Sequence, residues 1–347
     1  MQTERLLIKG DNIRAMQWLL DNGYEGKVDL VYIDPPFATG RKFWVNKGEK
    51  TATISAKIKD GGALAYDDTL AGENFISFLR ERVVLLHRLL SKKGSLYLHT
   101  DSRYSHYIKV MLDEVFGREN FRNDITRIKC NPKNFERVGF GNIKDVILFY
   151  TKGKNPIWHD VGMEQEDDYL LATYNKVDKD GRHYTTVPIH APGEYTNGET
   201  SKPFRGMLPP KGRHWRCSVE KLEELDKNGE IEWSSTGVPR KKIYMDDHMT
   251  KKTQDVWTFK DPSYPMYPTE KNIQMLDFIV KTSSDPDSIV LDCFCGSGTT
   301  LFAAQMASRR WVGIDESIEA IRAVERRFGI DNDYQFKDMS KDEEREG

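Results

Sequence analysis

Apolar residues recur along this chain in two rhythms, and their succession predicts strands alternating with helices. Val28-Asp29-Leu30-Val31-Tyr32-Ile33 is an apolar run of strand length, stopped by Asp34-Pro35-Pro36. From about Glu73 to Leu90, the residues Phe75, Leu79, Val83, Leu86 and Leu90 fall at helical spacing. Ser95 to His99 reads as the next strand, Tyr104 to Phe116 as an amphipathic helix, and Val146 to Tyr150 as an apolar strand. A shorter helix is predicted over Asp11 to Asn22, with Ile13, Met16, Leu19 and Leu20 on one stripe, Asp11 as its cap and Gly23 as its stop. Residues 38–71 carry Gly40, Gly48, Gly61 and Gly62 and read as a long loop.

Between Thr151 and Tyr264 the rhythm breaks, with one helix near Val219–Asn228 among interleaved Gly, Pro, Trp, Tyr and charged residues. Regular alternation then returns. Helices are predicted at Asn272–Thr282, Thr299–Ser308 and Ser317–Phe328, with strands at Ser288–Leu291 and Trp311–Ile314. The pattern divides the chain into a first regular half (1–150), an inserted region suited to recognition (151–264), a second regular half (265–330) and an acidic tail (331–347). Alternating strands and helices predict an α/β fold with a mostly parallel sheet covered on both faces. Ligands in such folds bind at the carboxyl ends of the strands.

At 347 residues, with 38% hydrophobic and 31% charged, the chain is long enough for about two domains and a real core. No apolar run approaches the ~18 residues of a membrane span. The first ten residues carry Glu4, Arg5 and Lys9 and do not read as a signal peptide. Four cysteines (Cys130, Cys217, Cys293, Cys295) without a CxxC pair disfavour a disulfide scaffold or a zinc ribbon and fit a reducing cytoplasm. His183, His190, His214 and His248 are not at metal spacing, so no metal is expected. The net charge of -2 hides an uneven distribution. Residues 118–154 hold nine Lys/Arg against four Asp/Glu, and residues 201–260 hold thirteen against nine. The tail at 331–347 holds three against seven and reads as a solvated end. Basic segments of this kind suit a phosphate track, although solvated surface charge is the plainer reading.

Two turns carry chemistry. In Asp292-Cys293-Phe294-Cys295-Gly296-Ser297-Gly298-Thr299-Thr300, glycines between a strand and a helix let a cofactor approach the backbone, and Thr299 or Thr300 is placed to cap the helix. One strand later comes Asp315, where a carboxylate accepts from two adjacent ribose hydroxyls. A dinucleotide fingerprint wants a small residue where Leu301 stands, and there is no GxxxxGK[ST]. Both absences favour a cofactor without phosphate. In the other turn, Asp34-Pro35-Pro36-Phe37, two prolines remove two N–H donors and leave a carboxylate and carbonyls beside an aromatic face. Such a turn suits an amino group on a flat ring.

These two turns, in this order, resemble the amino-methylating DNA methyltransferases of the β group, whose motif order is circularly permuted. The residues that carry the resemblance are Tyr32-Ile33-Asp34-Pro35-Pro36-Phe37-Ala38-Thr39-Gly40 and Leu291 through Thr300. Lys9-Gly10-Asp11-Asn12, Leu98-His99-Thr100-Asp101, Asn120-Phe121, Lys144-Asp145 and Tyr267-Pro268-Thr269-Glu270-Lys271 extend it toward the modification subunits of type III restriction systems and their stand-alone relatives. The sequence departs from the family's commonest residues at Cys293, Glu270 and Asn272.

The resemblance implies a Rossmann-like methyltransferase fold with S-adenosylmethionine as cofactor and DNA as partner. It also opens homodimerisation and a cognate restriction endonuclease as further partners. It implies that Asp34, with the Pro35 carbonyl and Pro36, accepts from the exocyclic amine of a flipped-out base while Phe37 stacks on the ring. The cofactor set it implies is Asp11, Asp34, Thr269, Lys271, Asp292, Phe294, Gly296, Gly298, Thr299 and Asp315. An aspartate at position 34 points to adenine N6, with cytosine N4 as the alternative. A non-catalytic DNA-binding module and an NAD oxidoreductase are further rivals, disfavoured by the intact Asp34 turn and by Leu301. Candidate DNA contacts in the inserted region are Arg213, Arg216, Arg240, Lys241 and Lys242.

Overall fold

A computed structural model of the chain describes residues 5–36, 41–45, 63–68, 72–132, 138–164, 167–195, 197–248, 250–263, 265, 270–329 and 333–340. It divides into two units, the first made of Met1–Val161 with Gln254–Gly347 and the second of Gly162–Thr253.

In the first unit, nine strands among the described residues form one sheet. Their spatial order is Val256–Thr258, Phe121–Ile128, Lys144–Thr151, Leu90–Thr100, Val28–Ile33, Ile289–Asp292, Arg310–Asp315, Arg5–Lys9 and Gln335–Asp338. Only Lys144–Thr151 runs antiparallel to its two neighbours; the remaining pairings are parallel. The central strands are apolar on both faces. Leu6, Ile8, Val31, Ile33, Leu96, Leu98, Leu291, Val312 and Ile314 join a core under the helices Asn12–Leu19, Glu73–Leu89 and Ser105–Phe116. Leu7, Tyr32, Tyr97, Val290 and Trp311 alternate with them and are equally buried. On that second face the Tyr97 hydroxyl lies 2.8 Å from Ser283 Oγ at the end of the helix Ile273–Ser283. Continuous apolar strands are what a parallel sheet covered on both sides requires.

The first short helix is capped as its sequence suggests: Asp11 Oδ1 accepts the Arg14 amide at 3.0 Å. It ends in a wide turn over Leu20–Tyr24, where Gly23 takes a φ of 81°. Three expectations are corrected. Within the expected loop 38–71, Arg41–Val45 and Ala63–Asp68 form an antiparallel pair. The tail is not wholly solvated: Gln335–Asp338 is a strand parallel to Arg5–Lys9, and the Met339 amide donates to the Lys9 carbonyl at 2.8 Å. Neither Thr299 nor Thr300 caps the helix Thr299–Met306, because Gly298 holds the cap position. Leu301 has a packing reason. Its side chain lies against Gly313 so closely that a Cβ there would clash, so the small residue that lets helix meet sheet sits on the strand.

The second unit has its own small core of Ile189, Phe204, Trp215, Leu222, Leu225 and Ile231. Four of its described strands form an antiparallel sheet in the order Ile231–Trp233, Pro239–Tyr244, His183–Pro188 and Lys176–Val177. It is narrower than residues 151–264. Val256–Thr258 belongs to the large sheet, and the amides of Ile157 and His159 donate to Lys93 and Thr282 of the first unit. Among the described residues no helix is long and apolar enough to cross a membrane.

Candidate active site

Five neighbouring parallel strands end at one edge of the sheet, at Thr100, Ile33, Asp292, Asp315 and Lys9. The antiparallel strand Lys144–Thr151 begins at that edge. Val28–Ile33 and Ile289–Asp292 are adjacent, so the turn at 34–36 and the glycine loop emerge side by side.

The glycine loop is held from beneath by two carboxylates. Asp292 is buried and its Oδ1 accepts the Phe294 amide at 3.0 Å. Burial pushes its carboxyl up to about 7, opposed by hydrogen bonds from Thr300 and Phe294 and reinforced by the charges of Asp34 and Asp315. Asp315 Oδ2 accepts the Gly296 amide and its Oδ1 the Ser317 amide, each at 2.9 Å. Burial pushes Asp315 up to about 6, against those two hydrogen bonds. Gly296 and Gly298 take φ values of 50° and 72°, in the left-handed region that favours glycine. A Cβ on Gly298 would stand 2.9 Å from Val324 Cγ2. Thr299 is buried with Oγ1 3.1 Å from Ser297 Oγ, and the Phe294 ring packs 6.1 Å from Phe78.

The Asp34 side chain is largely enclosed, and its two oxygens differ. Oδ2 forms an ion pair with Lys271. Oδ1 is buried and has no hydrogen-bond partner among the described residues, with His99 Nδ1 4.0 Å away. A lone buried acceptor of this kind is uncommon, because it gives up hydration without return. Lys271, which the resemblance places near a cofactor, is thus tied to Asp34. Phe37 and Thr269 lie outside the described residues.

Sequence reasoning missed three polar anchors. Arg82, buried on the helix Glu73–Leu89, donates to Asn12 Oδ1 at 2.7 Å, lies 3.6 Å from Asp11 and stacks 3.4 Å over the Phe78 ring. Asn12 in turn donates to the Cys293 carbonyl at 3.1 Å, tying the Asp11 cap to the glycine loop. Arg327 pairs with Glu270 and donates to the Ser297 carbonyl at 2.8 Å, which gives the departure to glutamate at 270 a partner. The third is a buried chain behind Asp34. The Tyr32 hydroxyl is 2.8 Å from His99 Nδ1, His99 Nε2 is 3.4 Å from Asp145 Oδ2, and Lys129 donates to Asp145 Oδ1 at 2.7 Å. The resemblance runs through Asn12, His99, Asp145 and Glu270 without giving them a role, and no local pattern announces Arg82, Lys129 or Arg327.

The basic candidates lie in the second unit. Arg213 and Arg216 are exposed, and Arg213 Nη1 is 3.2 Å from His190 Nδ1. Burial and then the charges of Arg213, Arg216 and Arg240 lower the His190 pKa. Arg240 donates to Thr186 Oγ1 and O at 2.9 and 2.7 Å. Lys242 lies 5.1 Å over the Tyr184 ring. Strand alternation puts Lys241 on the opposite face of Pro239–Tyr244 from Arg240 and Lys242, so these three are not one patch.

Comparison with known proteins shows the family. A DNA methylase family model (N6_N4_Mtase) matches residues 28–326. The chain is 41% identical over 329 residues to Type II methyltransferase M.EcaI of Enterobacter cloacae, covering 93% of this chain and 69% of that protein. It is 22% identical to the EcoP15I Mod subunit, a type III restriction-modification enzyme of Escherichia coli, across 86% of this chain and 55% of that subunit. The chain thus spans little more than half the length of that type III relative. Among solved structures, the cytosine-N4-specific PvuII DNA methyltransferase superposes with a TM-score of 0.51 at 13% identity, covering 95% of this chain and 89% of that one. That likeness establishes the Rossmann-like methyltransferase fold.

Proposed function

The chain belongs to the DNA methylase family, and from that premise we propose that it transfers a methyl group from S-adenosylmethionine to the N6 amine of adenine in DNA. The observation that carries this reading is the buried Asp34 Oδ1 beside the glycine loop, an acceptor without a donor among the described residues.

The residues present fit that cofactor by charge. Asp11, Asp34, Asp292 and Asp315 share one rim, and the cations reaching it are engaged: Arg82 with Asp11 and Asn12, Lys271 with Asp34, Arg327 with Glu270. A pyrophosphate would be repelled there, whereas a ligand bearing cationic groups and ribose hydroxyls is favoured. Asp11, Lys271, Asp292, Phe294, Gly296, Gly298, Thr299 and Asp315, with Thr269, are the residues that would hold it. When bound, S-adenosylmethionine supplies a methyl group on a positively charged sulfur.

Asp34 and the Pro35 carbonyl accept hydrogen bonds from the two N–H groups of the amine. An exocyclic amine is a weak nucleophile because its lone pair is delocalised into the ring, and acceptors on both N–H bonds favour the tetrahedral, nucleophilic nitrogen. The rigid Pro35-Pro36 backbone holds that geometry, and the rest of the rate follows from positioning. Phe37 stacks on the base. A base inside a duplex does not reach a carboxylate this enclosed, so the target nucleotide leaves the stack. The second unit, with the basic residues Arg213, Arg216, Arg240, Lys241 and Lys242, reads the target and its phosphates.

The test is expression in a bacterial host that lacks DNA methylation, with modified bases read across the genome by single-molecule sequencing. N6-methyladenine confined to one sequence motif is expected, and Asp34→Asn should erase it. N4-methylcytosine instead would move the assignment to the other base, and an unmodified genome would refute the activity.

A further inference from the structure

The buried chain from Tyr32 through His99 to Asp145 ends at Asp34, and its chemistry goes beyond holding the sheet together. His99 is fully buried near the carboxyl end of Leu90–Thr100. Its Nε2 faces the Asp145 carboxylate at 3.4 Å. Burial alone would raise the Asp145 carboxyl, but the hydrogen bond from His99 and the Lys129 ammonium hold it well below the usual range. An ionised carboxylate only accepts, so Nε2 carries the ring proton and Nδ1 presents a lone pair. That lone pair meets the Tyr32 hydroxyl at 2.8 Å, and Nδ1 lies 4.0 Å from Asp34 Oδ1.

Methyl transfer leaves a proton to be placed. The amine nitrogen gains a methyl group and a positive charge, and it returns to neutrality by losing one N–H proton while the bonding pair stays on nitrogen. Asp34 is the first acceptor, and a protonated Asp34 in an enclosed site would block the next turnover. We propose that His99 is the relay that clears Asp34: the proton passes from the Asp34 carboxyl to Nδ1, while the Nε2–H bond to Asp145 is kept. The resulting imidazolium lies between the carboxylates of Asp34 and Asp145; once the methylated base has left and water enters the site, the proton departs to solvent and the neutral ring is restored, so the cycle needs no co-reactant. Tyr32 turns from donating to Nδ1 to accepting from it. His99 acts through Asp34 and is a positioning and proton-relay residue. This assignment rests on the methyl-transfer reading above.

The groups that set the ring's proton affinity come from every element around it. Tyr32 and Asp34 come from Val28–Ile33 and its turn, and Asp145 from Lys144–Thr151. Arg127, 3.6 Å from Asp145, comes from Phe121–Ile128, Lys129 directly follows that strand, and Lys271 precedes Ile273–Ser283. Burial lowers the His99 pKa, Asp145 and Asp34 oppose that, and Lys271 adds to it. The ring is therefore neutral and ready to accept at neutral pH.

Two measurements test the relay. Imidazole 15N NMR of the ligand-free protein should show Nδ1 unprotonated at pH 7.5 and gaining its proton only below the ordinary histidine range; a ring already protonated on Nδ1 would overturn the proposal. Multiple-turnover methyl transfer to DNA in the parent should lose rate on the acid side as His99 protonates beforehand, while the first turnover is spared. In His99→Asn the rate should fall by about a hundredfold and the acid limb should vanish, with S-adenosylmethionine affinity unchanged. Equal rates and equal limbs in an active parent and the variant would overturn the relay alone. A parent that binds S-adenosylmethionine and leaves DNA unmethylated would instead refute the activity. Should His99→Asn fail to fold, Asp145→Asn should move the limb to lower pH, and an unmoved limb would overturn the relay.

Discussion

Replacing Asp292 by asparagine should make the protein more stable, and only at neutral to alkaline pH. The carboxyl is lifted from 3.8 to about 7 by burial beneath the glycine loop. At about 1.4 kcal/mol for each tenfold change in acid dissociation, holding it ionised in the folded state costs roughly 4 kcal/mol at pH 8. The folded pKa is the higher one, so the folded state binds more protons between pH 4 and 7, and stability falls as pH rises through that window. Near pH 5 the folded protein keeps the proton, and less than half of the cost remains. Asparagine keeps the oxygen that accepts the Phe294 amide. Its new NH2 group faces the Thr300 hydroxyl, which must reverse its hydrogen bond from donating to accepting, and an imperfect exchange costs about 1–3 kcal/mol. The net expectation is a gain of roughly 1–3 kcal/mol at pH 8 that shrinks by about 2–3 kcal/mol at pH 5. Thermal unfolding of parent and Asp292→Asn across pH 5 to 8 measures this directly. Parallel curves for the two proteins would refute the argument, because they would mean that Asp292 ionises in the folded state as readily as in the unfolded chain.

Gly298→Ala should cost ~2–3 kcal/mol, since a left-handed φ and a Val324 methyl 2.9 Å from the new Cβ both oppose it; an unchanged melting point would contradict the loop geometry. S-adenosylmethionine affinity, measured by calorimetry, should weaken as pH drops below about 6, because Asp315 then gains a proton and ceases to attract a cationic ligand; a flat profile from pH 5 to 8 would exclude that role. Arg213→Ala with Arg216→Ala should weaken DNA binding and flatten its dependence on salt by about 0.9 for each phosphate no longer neutralised. The same pair should raise the pKa of His190 in NMR titration, and no movement there would separate the arginines from that ring.

The sequence was most readable where one element buries its own stripe. Glu73–Leu89 and Val28–Ile33 stand as the spacing predicts, because Phe75, Leu79, Val83 and Leu86 meet the core in register with the helix turn. Phe121–Ile128 escaped notice because it places a charged residue, Arg127, where the pattern calls for an apolar one. Arg127 is fully buried against Asp145, its cross-strand partner, and Asp261, and neither stands close enough in sequence to show in a local pattern. Arg5–Lys9 and Gln335–Asp338 are too short to show a period, and each is defined by pairing with a strand hundreds of residues distant. The site divides the same way. Asp34, Asp292, Gly296, Gly298 and Asp315 stand at strand ends, which local pattern reveals. Arg82, His99, Asp145 and Arg327 matter through partners across the fold, and spacing carries no trace of those.

The strand Gln335–Asp338 covers what would otherwise be a bare row of amides and carbonyls along Arg5–Lys9. Uncovered parallel edges are templates for pairing with foreign chains, and short charged strands such as this one, with Lys337 and Asp338, blunt them. Trimming the chain after Gly329 would thus leave the rim residues intact while baring the border next to Asp11 for self-association.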